Sequence, residues 1–371
     1  MRVLHVTSGN MFGGVETFLT TLARESAATP QMHSGFAVCF EARFSGELAQ
    51  LGRAPYMLGP VRLSRPHTVI RARRALSRLL RETSFDVVVC HQPWAFVVFG
   101  SAARRAGLPV VLWVHTASEG RHWLERLARR GKPDLTICNS RFTASCLSRW
   151  LSASAVKPVY CPVSAPVATD EATQRIIVRG VLGAQSDDVV IAQVSRMEAM
   201  KGQHVLIAAL SELRDVQGWT CWMVGGVQRP AEAEYMRELQ GIADQHGIAA
   251  RVKFLGERKD VPAILNAADL FCQPNIAPEG FGLSMIEAMH AGLPVVTSAI
   301  GGACEIVDDS CGVLTPPGDV RALSGALKSL IVDRDRRVRL GSTARQRPDV
   351  LCDATRQMRQ IHSILSAVAA A

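Results

Sequence analysis

Apolar positions along the chain follow two alternating patterns. Continuous apolar runs, such as VVVC at residues 87–90 and VVIAQV at 189–194, are typical of strands buried on both faces of a parallel sheet. Between such runs, apolar residues recur three and four positions apart, as in residues 15–24, which is the spacing of an amphipathic helix. Strands alternating with helices predict an α/β fold built on parallel sheets.

The predicted strands fall into two groups. Six or seven form a first sheet, at residues 2–7, 36–40, 56–58, 86–90, 108–114, 134–138 and 159–161. The others form a second sheet, at residues 189–195, 220–224, 251–255, 268–273 and 293–297. The proline-containing string VYCPVSAPV, residues 159–167, lies between the groups and reads as a linker. We therefore expect two domains, residues 1–164 and 165–351, with a final helix at about 352–371.

Composition is that of a folded cytoplasmic protein. The 371 residues are enough for two hydrophobic cores, and 48% hydrophobic with 20% charged residues excludes a disordered chain. The ten cysteines are scattered, without C-x-x-C or a Cys/His cluster at zinc spacing, which indicates reduced thiols. The N-terminal apolar run is too short for a signal peptide. The chain contains no run of about 18 apolar residues, so no membrane span is predicted.

Positive charge is concentrated in the first half of the chain. Residues 1–166 carry 21 Lys+Arg against 9 Asp+Glu, whereas the remainder carries 21 against 24. A helix at residues 67–82 would place four arginines on one face, Arg71, Arg74, Arg78 and Arg81, and residues 121–132 place five Lys+Arg around Trp123. Either a solvated surface or an anionic membrane partner fits these segments. No recognised nucleic-acid motif with interleaved aromatics accompanies them, so nucleic acid is not expected as a partner.

The segment with the most candidate ligand-binding residues is PEGFGLSMIEAMHAGLP, residues 278–294. A glycine-containing loop leads into a helix from Leu283 that Gly292 closes, and the N–H groups of such a helix start suit a phosphate. Glu279 and Glu287 would not bind phosphate, but both could accept hydrogen bonds from hydroxyl groups flanking one, as on a sugar and a ribose. The alternative is a buried helix with two incidental glutamates.

Three other segments carry candidate ligand contacts. The strand at residues 189–195 is followed by Arg196 and by Lys201, two cations that could neutralise a diphosphate leaving group. Gly13 and Gly14 follow the first strand, where nucleotide folds hold phosphate, although the spacing is not that of a dinucleotide fingerprint. His115 follows another strand at the same edge, where it is either a ligand contact or a structural histidine.

Two segments together resemble the donor site of retaining glycosyltransferases of the family 4 type. One is residues 279–296, with E-G-F-G before the helix and A-G-L-P-V-V at its end, and the other is S-R-x4-K-G at residues 195–202. The resemblance implies the GT-B fold, two Rossmann-like domains facing each other across a cleft, with the last helix crossing back onto the first domain. It places His115 near the donor sugar or phosphate, although Thr116 stands where the family has Asp or Gly. Gly13 and Gly14 would face the donor phosphates and the acceptor, and Glu16 occupies a position that the family often makes acidic.

The resemblance also implies a set of roles. The residues expected to be catalytic are Glu279, His115, Lys201 and Arg196. The residues expected to bind the donor are Gly13, Gly14, Arg196, Lys201, Glu279, Gly280, Phe281, Gly282, Leu283 and Glu287. The expected activity is retaining, metal-independent sugar transfer from a nucleotide-diphosphate sugar to a saccharide or lipid-linked acceptor, without a cofactor, in the cytoplasm or on the inner face of the cell membrane.

Two other functions fit the same residues. One is a sugar-nucleotide epimerase on the same scaffold, and the other is a non-catalytic protein that binds a nucleotide sugar or a membrane.

Asp333-Arg334-Asp335 has the D-x-D form of metal-dependent transferases of another fold, but its arginine neighbours favour a solvent-exposed charged turn.

Overall fold

The computed structural model describes residues 1–151, 156–164 and 171–371. The chain forms two compact units, Met1–Ser164 with Cys352–Ala371, and Ala165–Leu351. Each unit is built on one parallel sheet with helices between the strands, which confirms the predicted α/β class.

The first sheet has seven parallel strands. They are β1 Arg2–Thr7, β2 His33–Val38, β3 Tyr56–Met57, β4 Val87–His91, β5 Val110–Val114, β6 Leu135–Cys138 and β7 Val156–Pro158. Their order in the sheet is β3-β2-β1-β4-β5-β6-β7, so the winding direction reverses between β1 and β4. The central strands β4 and β5 are fully buried, as their unbroken apolar runs predicted.

The helices of this unit connect successive strands. They are α1 Gly14–Arg24, α2 Arg43–Gln50, α3 Pro66–Glu82, α4 Gln92–Arg105, α5 Trp123–Arg130 and α6 Arg141–Leu147. Both α3 and α5 pack against α4, and buried residues of all three helices share one core with the sheet. Because crossovers between parallel strands are right-handed, the helices that carry the chain from β3 to β6 cover one face of the sheet.

The second sheet has six parallel strands in the order β10-β9-β8-β11-β12-β13. They are β8 Val189–Val194, β9 Trp219–Val224, β10 Val252–Gly256, β11 Leu270–Gln273, β12 Val295–Ser298 and β13 Gly312–Thr315. The helices are α7 Glu171–Val181, α8 Gln203–Ser211, α9 Pro230–Gln245, α10 Val261–Ala267, α11 Leu283–His290, α12 Ala303–Ile306, α13 Val320–Val332 and α14 Arg334–Cys352.

In both sheets, the direction in which successive strands are added reverses once. The reversal lies between β1 and β4 in the first sheet and between β8 and β11 in the second. Ligands of open α/β sheets bind beyond the carboxyl ends of the strands at such a reversal, because the connecting loops diverge there and leave a crevice. In the second unit, the predicted Arg196 and Lys201 follow β8, and Glu279 follows β11.

The chain ends on the first unit. The last helix, α15 Ala354–Ala369, packs against the turn Glu25–Ala28. Val163 pairs with Asp353 in a parallel bridge, and the N–H of Val163 donates to the carbonyl of Cys352 at 3.0 Å. The predicted linker at residues 159–167 falls partly outside the described residues, since those from 165 to 170 are not described.

One predicted strand was placed wrongly. Residues 159–161 were expected to form the last strand of the first sheet, but β7 lies three residues earlier, at Val156–Pro158. Val159 and Cys161 are buried, which produced the apolar signal, whereas Lys157 and Pro158 of β7 are exposed. Exposed Lys and Pro are ordinary features of an edge strand, where one side of the backbone faces solvent.

Among the described residues, no helix has both the length and the apolar character needed to cross a bilayer. All ten cysteines are unpaired thiols, and nine of them are buried.

Candidate active site

The helix α11 begins in a conformation that only glycine tolerates well. Gly282 has φ 121° and ψ 64° and is followed by Leu283, the first helical residue. The first N–H groups of a helix have no acceptor within it, so the start of α11 offers hydrogen-bond donors at its positive end. The loop before it is held by the N–H of Gly302, which donates to the carbonyl of Glu279 at 2.9 Å.

Lys201 and Glu279 form an ion pair at the strand reversal. The Nζ atom of Lys201 lies 2.5 Å from Oε1 of Glu279, and the side chains are 14% and 22% exposed. Gly202, with φ 72°, makes this approach possible, because a Cβ at this position would lie 1.8 Å from the carbonyl oxygen of Pro274. The Lys-Gly pair therefore lets the turn after β8 pass directly beside the loop that follows β11.

Two buried amides fix the other oxygen of Glu279. Its Oε2 accepts hydrogen bonds of 3.0 Å from both Gln273 and Asn275. Burial alone would raise the pKa of Glu279, but Lys201 and the two amides together hold it below its ordinary value. Ser284 donates to Oε1 of Gln273 at 3.1 Å, which orients that amide with its NH2 group toward the carboxylate. Glu279 is therefore a charged carboxylate in a fixed orientation.

Arg196 is held by two other carboxylates. Its guanidinium lies 2.7 Å from Oε1 of Glu198 and 3.5 Å from Oε1 of Glu232. Glu232 is buried, and its Oε2 accepts the N–H of Gln228 at 2.7 Å. A diphosphate bound by Arg196 would have to share the guanidinium with these acidic side chains.

Glu287 is the fifth residue of α11 and differs from Glu279 in its surroundings. Its side chain is half-buried, and among the described residues it has no hydrogen-bond or ion-pair partner. Burial raises its pKa to about 7. This carboxyl group is therefore available to hydroxyl donors of a ligand, but it ionises only near neutral pH.

In the first unit, the glycine loop is closed by Glu16. The side chain of Glu16 accepts the N–H of Gly13 at 3.1 Å, and the carbonyl of Gly13 accepts the N–H of Thr17 at 2.9 Å. These bonds fix the start of α1, whose first residue is Gly14. Glu16 thus shapes the loop as a helix cap and is 8% exposed.

His115 directly follows β5 and is 8% exposed. Its Nε2 lies 2.9 Å from Nδ1 of His91, and its carbonyl accepts a 2.8 Å hydrogen bond from Asn139. Burial lowers the pKa of His115 to about 3, so its imidazole is neutral at physiological pH. It can exchange hydrogen bonds with a ligand, but it offers no positive charge to a phosphate.

The predicted site residues fall in both units, and within the second unit the structure brings several of them together. Lys201 contacts Glu279 directly, and Gly280, Phe281, Gly282 and Leu283 connect that pair to the start of α11. Glu287 lies one turn further along that helix. Gly13, Gly14 and His115 belong to the first unit, at the carboxyl ends of β1 and β5.

Sequence reasoning missed the side chains that orient the predicted ones. Gln273 and Asn275 hold Glu279, while Glu198 and Glu232 hold Arg196. A usable signal existed for Gln273, because a polar residue ends the apolar run LFCQ at the ligand edge of the sheet. Glu232 is separated from Arg196 along the chain by helix α8, strand β9 and the start of α9, and no spacing rule connects the two residues.

The D-x-D sequence lies at the start of α14, between that helix and α13. Asp333, Arg334 and Asp335 are exposed, and the side chain of Asp333 accepts the N–H of Arg336 at 2.8 Å. Asp333 therefore caps the start of α14.

Comparisons with known proteins cover almost the whole chain. Residues 174–347 match the family Glycosyl transferases group 1, and residues 12–165 match Glycosyltransferase Family 4. The chain is a glycosyltransferase of the family 4 type. The family resemblance read from the sequence is thereby confirmed, together with the GT-B fold class.

A curated relative extends the match across both units. A GDP-mannose-dependent alpha-(1-6)-phosphatidylinositol monomannoside mannosyltransferase of Mycolicibacterium smegmatis is 28% identical over 355 residues, which is 90% of this chain and 89% of the relative. Among solved structures, HepE of Anabaena in complex with UDP-glucose has a TM-score of 0.87 and 26% identity, with 99% of this chain and 100% of HepE covered. WaaG, a glycosyltransferase involved in lipopolysaccharide biosynthesis, shares the fold, with a TM-score of 0.72 and 18% identity over 99% of this chain and 100% of WaaG.

Proposed function

We propose that this glycosyltransferase transfers a hexose from a nucleotide-diphosphate sugar to a saccharide or lipid-linked acceptor, with retention of anomeric configuration and without a metal ion. The observation that carries the proposal is the Lys201–Glu279 ion pair beside the N-terminus of α11. A cation and helix N–H groups suit the diphosphate, and an adjacent oriented carboxylate suits sugar hydroxyls. The nucleotide sugars named for the mannosyltransferase relative and for HepE support this class of donor.

Glu279 has one acceptor position left for a ligand. An ionised carboxylate offers about four lone-pair sites. Lys201, Gln273 and Asn275 occupy three of them. The remaining site can accept a hydroxyl of the donor sugar, which would fix the orientation of the ring. Because its pKa is held low, Glu279 is a poor proton carrier, so we assign it an orienting role.

The leaving diphosphate would gain negative charge as the bond from the sugar to the phosphate breaks. Lys201, Arg196 and the N–H groups at Phe281, Gly282 and Leu283 would stabilise that charge, which favours the transition state over the bound substrate. The acceptor would attack on the face that the diphosphate leaves, and the departing phosphate would take its proton. Glu287 would accept hydrogen bonds from the ribose hydroxyls.

The first test is donor binding. We expect one of UDP-, GDP- or ADP-hexose, at about 100 times its Kd, to raise the unfolding temperature by roughly 5–10 °C. The shift should be the same in EDTA. The NMR coupling of the anomeric proton in the product should then show the configuration of the donor sugar.

Other outcomes of the same assay contradict the proposal. An inverted product would contradict retention, and a shift or a transfer rate that EDTA abolishes would contradict metal independence. Conversion of the donor sugar without any acceptor would indicate the epimerase. Binding without transfer to saccharide or lipid-linked acceptors would indicate a non-catalytic nucleotide-sugar-binding protein.

We further propose that the first unit binds an anionic membrane surface. Arg71, Arg74, Arg78 and Arg81 of α3 are exposed, as the helical spacing predicted. On α5, Trp123 and Leu127 are 50% and 38% exposed, with exposed arginines around them. Since α3 and α5 both pack on α4, these surfaces share one face of the unit. Exposed apolar residues inside a basic surface are typical of helices that lie in the membrane interface.

Vesicle flotation tests this surface. With phosphatidylglycerol vesicles, Arg74→Ser/Arg78→Ser should weaken binding by roughly 30-fold, at about 1 kcal/mol for each arginine, and Trp123→Ser should also weaken it. The control Arg334→Ser/Arg339→Ser, which removes two exposed arginines of the second unit, should bind normally. Equal binding of all variants, or no binding to anionic vesicles at low salt, would refute the membrane proposal.

A further inference from the structure

Three buried histidines form a hydrogen-bonded row across the first sheet. Nδ1 of His5 lies 3.0 Å from Nε2 of His91, and Nδ1 of His91 lies 2.9 Å from Nε2 of His115. The three side chains are 0%, 1% and 8% exposed, respectively. The row therefore begins inside the protein and ends at His115, the histidine that the family resemblance places near the donor sugar or phosphate.

The strand register explains the alignment. His5 on β1 pairs with Val89 on β4, two residues before His91, and His91 pairs with Trp113 on β5, two residues before His115. Residues two apart in a strand point to the same face of the sheet. Each step to the next strand thus moves the row two residues toward the carboxyl edge, where α/β folds place their ligands.

Aromatic rings enclose the row. Phe36 stacks on His5 with 5.6 Å between ring centroids, and Trp113 stacks on both His91 and His115 at 5.7 and 5.8 Å. Phe18 of α1 lies 5.1 Å from the ring of His115. Burial in this layer lowers the pKa of all three histidines far below the ordinary value, so the rings are neutral.

Counting protons then limits the tautomers. Each neutral imidazole carries one N–H, and each bond between rings needs one donor and one acceptor. Two of the three protons lie in the bonds between rings, so the third lies at one end, on Nε2 of His5 or on Nδ1 of His115. Nε2 of His5 is buried without a hydrogen-bond partner among the described residues. Because a buried N–H without a partner is costly and rare, the third proton belongs on Nδ1 of His115.

We propose that His5 and His91 are positioning residues that hold His115 as the neutral tautomer protonated on Nδ1. His115 then presents a hydrogen-bond donor to an oxygen of the donor sugar or its phosphate. This inference rests on the proposed function, together with the place near the donor that the family resemblance gives His115, whereas the tautomer follows from the row itself. His115 makes no hydrogen bond through Nδ1 within the described part of the chain, so that atom is available to a ligand.

Nitrogen NMR of the full chain with labelled histidine tests the tautomer without any substrate. At pH 7, the signals of His115, assigned through their loss in His115→Gln, should show a protonated Nδ1 and an unprotonated Nε2. His91 should show the same pattern. Protonation of His115 on Nε2, or a charged imidazole, would overturn the proposal.

Substitution of His91 tests the positioning role. His91→Phe removes both ring nitrogens and should lower kcat by roughly 10- to 100-fold, the range found when a metal-ligating histidine loses the partner that orients its ring. His91→Asn keeps an N–H near the position of Nδ1, so it should recover much of the loss. His33→Phe, at an exposed histidine of β2, is the matched control and should leave kcat unchanged.

The outcomes separate this inference from the proposed function. An unchanged kcat in His91→Phe, or an equal loss in His91→Phe and His91→Asn, would overturn the positioning role. If His91→Phe does not fold, the tautomer of the native protein still decides. Absence of transfer from every nucleotide sugar would refute the proposed function, whereas the NMR pattern would still confirm or refute the tautomer.

Discussion

Replacing Lys201 with Ala should lower kcat/KM for sugar transfer by roughly 10²- to 10³-fold, the usual cost of losing one group that stabilises developing negative charge. The loss should fall mainly on kcat, because the charge on the diphosphate grows as the bond breaks. Steady-state kinetics with the donor identified by thermal shift would measure this, with Lys328→Ala, an exposed lysine of α13, as the control.

Stability has to be separated from catalysis in this experiment. Lys201→Ala leaves the Glu279 carboxylate largely buried without its cation, which is destabilising in itself. Lys201→Met/Glu279→Gln removes both charges and should recover the unfolding temperature without recovering transfer. Lys201→Ala with transfer within about threefold of the native protein would contradict the assignment of Lys201 to the leaving group.

The features that sequence could predict are those encoded by local patterns. Unbroken apolar runs identified the buried strands β4, β5 and β8, and helical spacing identified α1 and α3. Asp319 also shows a local pattern, since a short acidic side chain just before a helix favours a cap and that of Asp319 accepts the N–H of Ala322 at 2.9 Å at the start of α13. Gly202 and Gly282 are also local signals, because a glycine indicates a turn with positive φ and both glycines form such turns beside residues of the site.

The features that sequence could not predict depend on strand order. His5, His91 and His115 lie on β1, β4 and after β5, and they become neighbours only because the sheet reverses between β1 and β4. The pairing of Lys201 with Glu279 likewise requires β8 and β11 to be adjacent, although two strands separate them along the chain. A motif names the residue types in such a site, but hydrogen-bond partners follow from topology.

Glu279 and Glu287, the two glutamates of residues 278–294, illustrate the same limit. They look equivalent in sequence, yet Glu279 has a depressed pKa because Lys201 and two amides surround it, whereas burial without a partner raises the pKa of Glu287. The different environments give the two carboxyl groups different protonation states near neutral pH.

Donor binding should therefore weaken as the pH falls below about 7, where Glu287 becomes protonated. A neutral carboxyl group cannot accept hydrogen bonds on both oxygens from two ribose hydroxyls as well as a carboxylate can. Affinity for the nucleotide sugar should fall by up to about tenfold for each pH unit below the pKa. Calorimetric titration between pH 5 and 8 would measure the profile. An intact nucleotide sugar is the right ligand, because it lacks the terminal phosphate whose own ionisation near pH 6 would obscure the result.

Glu287→Gln provides the matched variant. It should bind the donor more weakly at pH 8, and its affinity should vary little with pH, so the native and variant curves should converge near pH 5. The stability of the fold should change with pH in the opposite direction to the donor affinity. A carboxyl group whose pKa is raised on folding stabilises the fold fully below its unfolded pKa, and this stabilisation is lost as the pH rises through the folded pKa. Without ligand, Glu287→Gln should therefore gain unfolding temperature over the native protein between pH 5 and 8. If the donor affinity of the native protein does not change with pH, or if the native and Glu287→Gln affinities change in parallel, Glu287 does not contact the ribose.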